Sequence, residues 1–483
     1  MNFFWTATGF LIFFMVFLVS LVSISFTTYY YQIKEYRFDR FFSYLKEKGL
    51  VLLFPSGFLR PQLTIRGKNI VMFSVLGVGF YLLVLYFVML PMVIKLFFAA
   101  VAPINAFLFV TVGVAVTGIV SNKKRGEQIA VASKKVESSE AVFIGITGSF
   151  GKTSAKEFLK KILASKYKVS STKRNFNTDI GVAISINESL KRSHEFFIAE
   201  MGAYTIGEIE RIADFTRPKY GILTGLGNQH VDLFGSRAKL IQAKSELLLS
   251  LPEDGLAFVN MDSDGYKKVV KGVKCPVVFY SVENKKADIF AENIRISEDG
   301  IFATVNYKKH RFNIKADLIG KHNVSNLLPC IGLCHELGLS KNQIERAISN
   351  LNPLEKKLNL SSGLKGATFL DDSYNSNVDG FLAAIETLNH IDFLKKYVVS
   401  KGIIELGDEK VKSYQKILGA LKDLDMRFLT TGRTFALLDK KNKTKLFKNE
   451  KALLRYIRQK AGKDTIFLIE GRFSNAFLTA LKT

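Results

Sequence analysis

From residue 3 to residue 31 the chain, FFWTATGFLIFFMVFLVSLVSISFTTYYY, carries no charge. An apolar run longer than about 20 residues can cross a bilayer as one helix, because the helix satisfies its own backbone polar groups. Two further runs come later: IVMFSVLGVGFYLLVLYFVML, ending at Pro91, and LFFAAVAPINAFLFVTVGVAVTGIV, ending at Val120. Only a short link with Lys95 separates these two, so they read as a helical hairpin. A cleavable secretory signal needs a basic start, and no basic residue precedes Lys34. The sequence therefore predicts three transmembrane helices. Lys34, Arg37, Arg40, Lys46, Lys48, Arg60, Arg66 and Lys68 lie between the first two runs, and Lys123 to Arg125 come after the third. The positive-inside bias puts both basic stretches on the cytoplasmic side, with the N-terminus outside. FFSYLKEKGLVLLF, within the first loop, has the pattern of an amphipathic helix lying along a membrane surface.

Beyond residue 140 the pattern changes. AVFIGIT is a buried-strand run, GSFG interrupts it, and KTSAKEFLKKIL places Phe158, Leu159 and Ile162 on one helical face. Strand, glycine loop and helix form the setting of a phosphate-binding loop. Backbone N–H groups around Gly148 and Gly151 would surround phosphate oxygens, and the helix N-terminus adds partial positive charge. Lys152 would neutralise the terminal phosphates, and Thr153 would reach a magnesium ion. The general signature also asks for a glycine where Ile146 stands. With both basic flanks facing inward, this loop lies on the side of the membrane that holds ATP.

The formal charge is +25, from 68 basic and 43 acidic residues, but the cations are spread along the chain. With no recognition helix, zinc-ligand spacing or RNA-binding aromatic motif, nucleic acid is not an expected partner. Cys275, Cys330 and Cys334 are too few for a disulfide framework and fit a reducing compartment. Residues 141 to about 350 alternate strand-like and helical stretches, as a mostly parallel sheet requires. LNPLEKKL, from 351, reads as a link. Beyond it KYVVS, RFLTT and DTIFLIE alternate with helices, as in a second doubly wound domain. The expected fold is α/β: a P-loop ATPase-type central domain and a smaller doubly wound C-terminal domain, preceded by three transmembrane helices. The expected boundaries are a membrane region at 1–120, a polar linker at 121–140, a central domain at 141–353 and a C-terminal domain at 354–483.

TGSFGKTS, together with NFNTDIGVAISI (175–186), AEMGAYTIGEI (199–209), GNQHVDLFGSRAKLIQAKSELL (227–248), GKHNVSNLL (320–328) and LDDSYNSN (370–377), resembles the Mur ligase family. These are ATP-dependent amide ligases of bacterial peptidoglycan synthesis. The resemblance runs from about residue 141 to the C-terminus. It is nearest to the branch that adds D-alanyl-D-alanine to the UDP-muramoyl tripeptide.

The resemblance implies a set of roles. Nucleotide contacts fall on Gly148, Ser149, Gly151, Lys152, Thr153 and Ser154, on Asn323 and Asn326, on Lys357 and on Asp372. Lys357 stands where the family usually has arginine, so it keeps the charge and loses the planar fork. Glu200 ends the strand-like EFFIAE, where a carboxylate is a fitting hard ligand for magnesium. The resemblance assigns Glu200 and His230 to the metal, with Thr153, and implies carbamylation of Lys244 to an anionic ligand. Lys152, Lys244 and His230 are the expected catalytic set. Asn175, Asn177 and Thr178, with Tyr374, Asn375 and Asn377, are candidate substrate contacts. In GIIELGDE (402–409), Ile403 replaces the aspartate that usually follows the first glycine. Ordinary members open with a soluble domain that grips the UDP end of the substrate, and here the membrane region takes its place.

The expected activity is acyl phosphate formation from ATP and Mg2+, then attack by an amine. Partners are a small-molecule or lipid-linked muramoyl peptide, an amino acid or dipeptide, and the bacterial cytoplasmic membrane. The alternative is a membrane-anchored ligase of the same chemistry that joins another amine to a different envelope acceptor. A transporter or sensor would be expected to show more spans, or charges within them. Lys152, Thr153, Glu200, His230 and Lys244 together argue against a binding-only protein.

Overall fold

The three charge-free runs are helical: α1 (Asn2–Ile33), α3 (Ile65–Phe87) and α4 (Met92–Glu137), with the shorter α2 (Phe38–Lys48) between the first two. All three long helices are long and apolar enough to cross a membrane. The computed structural model describes residues 2–34, 36–48, 61–88, 90–227, 234–297, 300–353, 358–373, 378–403, 410–439 and 444–482. It divides into two units, Met1–Glu127 and Gln128–Thr483.

In the first unit both the buried seam and the outer surface are apolar. Small residues are buried between its helices: Ala99, Ala102, Ala106, Val110 and Val114 recur at helical spacing along α4. Large ones such as Leu76, Phe80, Phe87 and Phe97 are exposed. Close approach of backbones through small residues is how helices pack without a hydrophobic drive between them. Buried hydroxyls return to their own helix: Ser74 donates to the Ile70 carbonyl at 2.7 Å and Thr111 to that of Phe107 at 2.8 Å. Ser23 crosses to the Pro103 carbonyl at 2.8 Å.

The stretch expected as a polar linker, 121–140, is helical as far as Glu137. It is rich in lysine, glutamate and alanine, which favour helix, and proline does not interrupt it. Its last turns belong to the second unit. There Ala132 and Val136 are buried, and Lys135 donates to the carbonyls of Ile186 (3.1 Å) and Asn187 (2.8 Å). These carbonyls lie in the last turn of α6 (Asp179–Ser189), where a cation offsets the helix dipole.

The second unit contains two sheets. In the first, β1 (Val142–Thr147), β2 (Val169–Ser171), β3 (Phe196–Glu200), β4 (Tyr220–Leu223), β5 (Leu256–Asn260), β6 (Val277–Ser281), β7 (Ile289–Ser297), β8 (Gly300–Tyr307) and β9 (His310–Ala316) take the order β2-β3-β1-β4-β5-β6-β7-β8-β9. Pairing is parallel from β2 through to β7. β7, β8 and β9 then form an antiparallel meander. The meander departs from the all-alternating strand–helix pattern expected for this region. Its physical reason is one-sided burial: along HRFNIKA, every second residue from Phe312 to Ala316 is buried.

Helix α5 (Lys152–Leu163) covers one face of this sheet through Phe158, Leu159 and Ile162. Helices α6, α7 (Glu208–Thr216) and α8 (Arg237–Leu249) cover the other. The chain leaves β1 towards β3 and β2 on one side and resumes at β4 on the other. That reversal places a crevice at the carboxyl ends of β1, β3 and β4.

The second sheet orders β10 (Asn359–Ser362), β11 (Thr368–Asp372), β12 (Lys395–Ser400), β13 (Met426–Thr430), β14 (Thr444–Leu446) and β15 (Thr465–Glu470) as β10-β11-β15-β12-β13-β14. Only the edge pair β10–β11 is antiparallel. Apolar clusters lie on both faces, as a doubly wound sheet requires.

Candidate active site

β1 is buried along almost its whole length and ends at Thr147, and the loop after it turns on two glycines with positive φ, Gly148 (149°) and Gly151 (81°). A side chain at either would collide with a neighbour. At Gly148 it would meet the Thr224 hydroxyl, and at Gly151 the Asn326 side-chain oxygen. The loop is held from beneath. Ser149 N–H donates to the Gly225 carbonyl at 2.7 Å. The Thr224 hydroxyl donates to the Phe150 carbonyl, with that of Thr147 at 3.2 Å. The Thr224 carbonyl in turn accepts from Asn260 Nδ2 (2.7 Å) and Tyr280 Oη (3.1 Å). A loop over such a buried network is rigid, as a phosphate cradle must be.

α5 begins at Lys152, whose Nζ folds back to the Gly148 carbonyl at 2.7 Å. One residue on, the Thr153 hydroxyl donates to Glu200 Oε1 at 3.1 Å. Glu200 ends β3 and is 1% exposed. Asn177 Nδ2 donates to the same oxygen at 3.2 Å, and the Asn177 carbonyl accepts from Gly202 N–H at 2.7 Å. Among the described residues Glu200 Oε2 has no hydrogen bond, but the Lys156 ammonium is 3.4 Å away.

Lys244 reaches the same region from α8 and is 4% exposed. Burial, and then the positive charge of Lys152, lower its pKa to about 7, with Glu246 and Glu208 opposing. Glu246, two residues on, accepts from the N–H groups of Gly207 (2.6 Å), Ile209 (3.1 Å) and Glu210 (3.0 Å). A carboxylate at the N-terminus of α7 compensates its unpaired donors and pins α8 in place.

The structure therefore brings together Lys152, Thr153, Asn177, Glu200 and Lys244. Ser149 and Ser154 are buried in the loop and first turn of α5. Asn326 lies against Gly151, and Asn323, one turn earlier in the helix Lys321–Glu336, donates to the Ile319 carbonyl at 2.8 Å. Thr178 caps α6, accepting from Gly181 N–H at 3.3 Å, and Asn175 is exposed. Asp372 ends β11 in the second sheet, beside Glu470 of β15. His230, Lys357, Tyr374, Asn375 and Asn377 lie outside the described residues, as does 404–409 of the GIIELGDE turn.

Lys156, Thr224, Asn260, Tyr280 and Glu246 also build the site, and sequence reasoning does not single them out. Only Lys156 carries a readable signal. It stands three residues before Leu159 and seven before Leu163, on the apolar face of α5, where a lysine is out of pattern.

The crevice, the glycine loop and the lysine at the start of α5 define an α/β nucleotide-loop domain. Residues 146–334 match the Mur ligase middle domain. The chain is similar to the UDP-N-acetylmuramoyl-tripeptide–D-alanyl-D-alanine ligase of Buchnera aphidicola subsp. Baizongia pistaciae, 31% identical over 60% of this chain and 62% of that protein. Its similarity to the Escherichia coli K12 enzyme of the same name is 30%, over 60% of this chain and 64% of that one. The chain thus spans less than two thirds of the length of these relatives. Among solved structures, MurF from Acinetobacter baumannii matches with a TM-score of 0.68 at 24% identity, covering 74% of this chain and 80% of that one. MurF from Thermotoga maritima in complex with ADP matches with a TM-score of 0.66 at 22% identity, covering 74% and 82%. At these identities the structural likeness establishes the Mur ligase fold.

Proposed function

We propose that this chain is an ATP-dependent amide ligase of peptidoglycan synthesis that adds D-alanyl-D-alanine to a muramoyl tripeptide. The observation that carries the reading is the convergence of Lys152, Thr153, Glu200 and Lys244 at the crevice beside β1. The peptide carboxylate attacks the terminal phosphorus of ATP and ADP leaves, giving an acyl phosphate. The amine then attacks the carbonyl carbon, the carbon–oxygen bond breaks, and phosphate departs with the electron pair as the amine loses its proton.

The loop N–H groups, the start of α5 and Lys152 hold and neutralise the phosphates, so that positioning and charge compensation supply the catalysis. Thr153 and Glu200 offer adjacent hard oxygens on the side of the phosphate loop, the Thr153 hydroxyl lying 3.1 Å from the buried Glu200 Oε1. That donor set fits Mg2+, which takes one or two carboxylates and completes its shell with phosphate and water. When bound, the ion supplies charge neutralisation between phosphate and acceptor carboxylate. His230 belongs with this set by family resemblance. Lys244 fits a carbamate: an amine whose pKa is lowered to about 7 is partly neutral near that pH and can add CO2 and release a proton, and the resulting anion replaces repulsion from the Lys152 charge by attraction. Asn177 lies beside Glu200 and is the candidate contact to the acceptor, and family resemblance adds Lys357, Asp372, Tyr374, Asn375 and Asn377 as contacts to ATP and substrate.

The three apolar helices anchor the chain in the bacterial cytoplasmic membrane, N-terminus outside and ligase part inside, with α2 along the surface. The basic flanks support that orientation. A second reading rests on the membrane unit together with the partial span of the relatives: the same chemistry on a lipid-linked acceptor or another amine.

The test uses full-length protein in detergent with ATP, Mg2+, a panel of amines and either UDP-linked or lipid-linked muramoyl tripeptide, reading phosphate release and product mass. Release with D-alanyl-D-alanine alone, at the mass of the pentapeptide, is the expected result. Release only with another amine, or only with a lipid-linked acceptor, overturns the leading assignment.

A further inference from the structure

We infer that Lys156 is a positioning residue, whose buried ammonium fixes the Glu200 carboxylate and the 172–177 loop relative to the phosphate loop. The inference rests on the ligase reading of this site, and concerns a lysine outside the phosphate-binding signature.

An ammonium in the protein interior is costly unless it is paired and hydrogen-bonded. The Lys156 side chain is fully buried. Its Nζ donates to the carbonyls of Thr172 (3.1 Å) and Arg174, and lies 3.3 Å from Glu157 Oε1 and 3.4 Å from Glu200 Oε2. Three N–H donors thus serve acceptors on three segments: α5 itself, the chain just beyond β2, and the end of β3. Arg174, whose carbonyl lines this cage, has a positive φ of 49°, a conformation that a non-glycine residue holds only under tertiary constraint.

The same loop is tied to Glu200 twice more. The Thr172 hydroxyl accepts from Glu200 N–H at 3.1 Å, and Asn177 Nδ2 donates to Glu200 Oε1 at 3.2 Å. The carboxylate is therefore divided. Oε2 faces Lys156 on the buried side, while Oε1 faces Thr153 and Asn177 on the side of the phosphate loop. Lys152 and Lys156 lie one turn apart on α5 yet do different work. Lys152 covers the loop at Gly148. Lys156 is sealed from solvent, and its polar contacts among the described residues all lie away from that loop. Its removal would leave Glu200 as an uncompensated buried charge and release the carbonyl end of the 172–177 loop. The consequence falls on the divalent cation and the acceptor, and spares metal-free nucleotide binding.

The test compares wild type with Lys156→Met, which keeps length and loses charge, and Lys156→Arg, which keeps charge, all as full-length protein in detergent. ADP affinity is measured in EDTA, and Mn2+ affinity by electron paramagnetic resonance with ADP bound. Outer partners of metal ligands are worth about 10–100-fold in metal affinity. Lys156→Met is expected to weaken Mn2+ by that factor, to leave ADP affinity in EDTA within about twofold, and to raise KM for the muramoyl peptide. Lys156→Arg is expected to recover part of the Mn2+ loss. If Lys156→Met fails to fold, Lys156→Gln, which retains two donors for the carbonyls, carries the same comparison. A folded variant without the charge that binds Mn2+ as wild type does overturns the assignment. Wild type that binds no ADP in EDTA refutes the nucleotide reading instead, so the two failures are distinguishable.

Discussion

Replacing Lys244 with methionine should stabilise the protein in acid and cease to matter in base. In water the lysine ammonium keeps its proton to about pH 10.5, and in the folded chain only to about 7. The difference, at 1.36 kcal/mol per pH unit, is about 5 kcal/mol, an upper figure that water entry and relaxation reduce. Between pH 7 and 10.5 the unfolded chain binds the extra proton, so stability rises with pH across that window. Below pH 7 both states are protonated and the whole penalty is carried. Above 10.5 neither is, and it vanishes. Lys244→Met, with no charge and a similar length, escapes the penalty at every pH. The assay is urea unfolding of full-length protein in detergent, monitored by circular dichroism in CO2-free buffer from pH 6 to 10. The variant should be more stable than wild type by several kcal/mol at pH 6, with the gap closing as pH approaches 10. Labelled bicarbonate near pH 8 should add a carbamate carbon signal to wild type and none to Lys244→Met. A gap that is constant over the whole range would refute the reasoning, because the penalty would then not come from a proton on Lys244.

Other parts of the site lead to three more expected outcomes. Gly151→Ala should cost about 1–3 kcal/mol in backbone strain and collision with Asn326, and should weaken ADP binding in a fluorescence titration; Ser149→Ala, at a position free of that collision, should weaken it far less. Glu246→Ala should cost about 3 kcal/mol in urea unfolding, because three backbone N–H groups lose a charged acceptor. Phe158→Ala, at 1% exposure beneath the phosphate loop helix, should cost about 3–5 kcal/mol by the same measurement.

The parts legible in the sequence are those set by short-range chemistry. The strand–glycine–helix order at 142–163 needs only hydrophobic runs and two glycines, and the structure has it. The three apolar helices come from length and the absence of charge. Lys152, Thr153 and Glu200 are readable because a phosphate loop and a strand-end carboxylate have fixed places in such a sheet. The illegible parts are set by long-range contact. Thr224 and Asn260 are ordinary residues until β4 and β5 carry them beneath the loop. The β7–β9 meander leaves one local trace, the alternating burial of HRFNIKA against the continuous burial of β1 and β3, and that trace does not say which strands pair. The helical run through 121–137 passes for a linker because its polar composition suits both, and only Ala132 and Val136, packed on α6 and its neighbours, settle it.

Gly151 and Asn326 touch, and Cys330 Sγ lies against the Ala155 carbonyl across 175 residues of chain. One wall of the cradle is thus among the last pieces of this sheet's layer to leave the ribosome. At 5–20 residues per second, roughly 10–35 s of synthesis separate the loop from the helix that closes it. During that interval the nascent chain has its glycines and its lysine but not yet the helix that carries Asn326 against them.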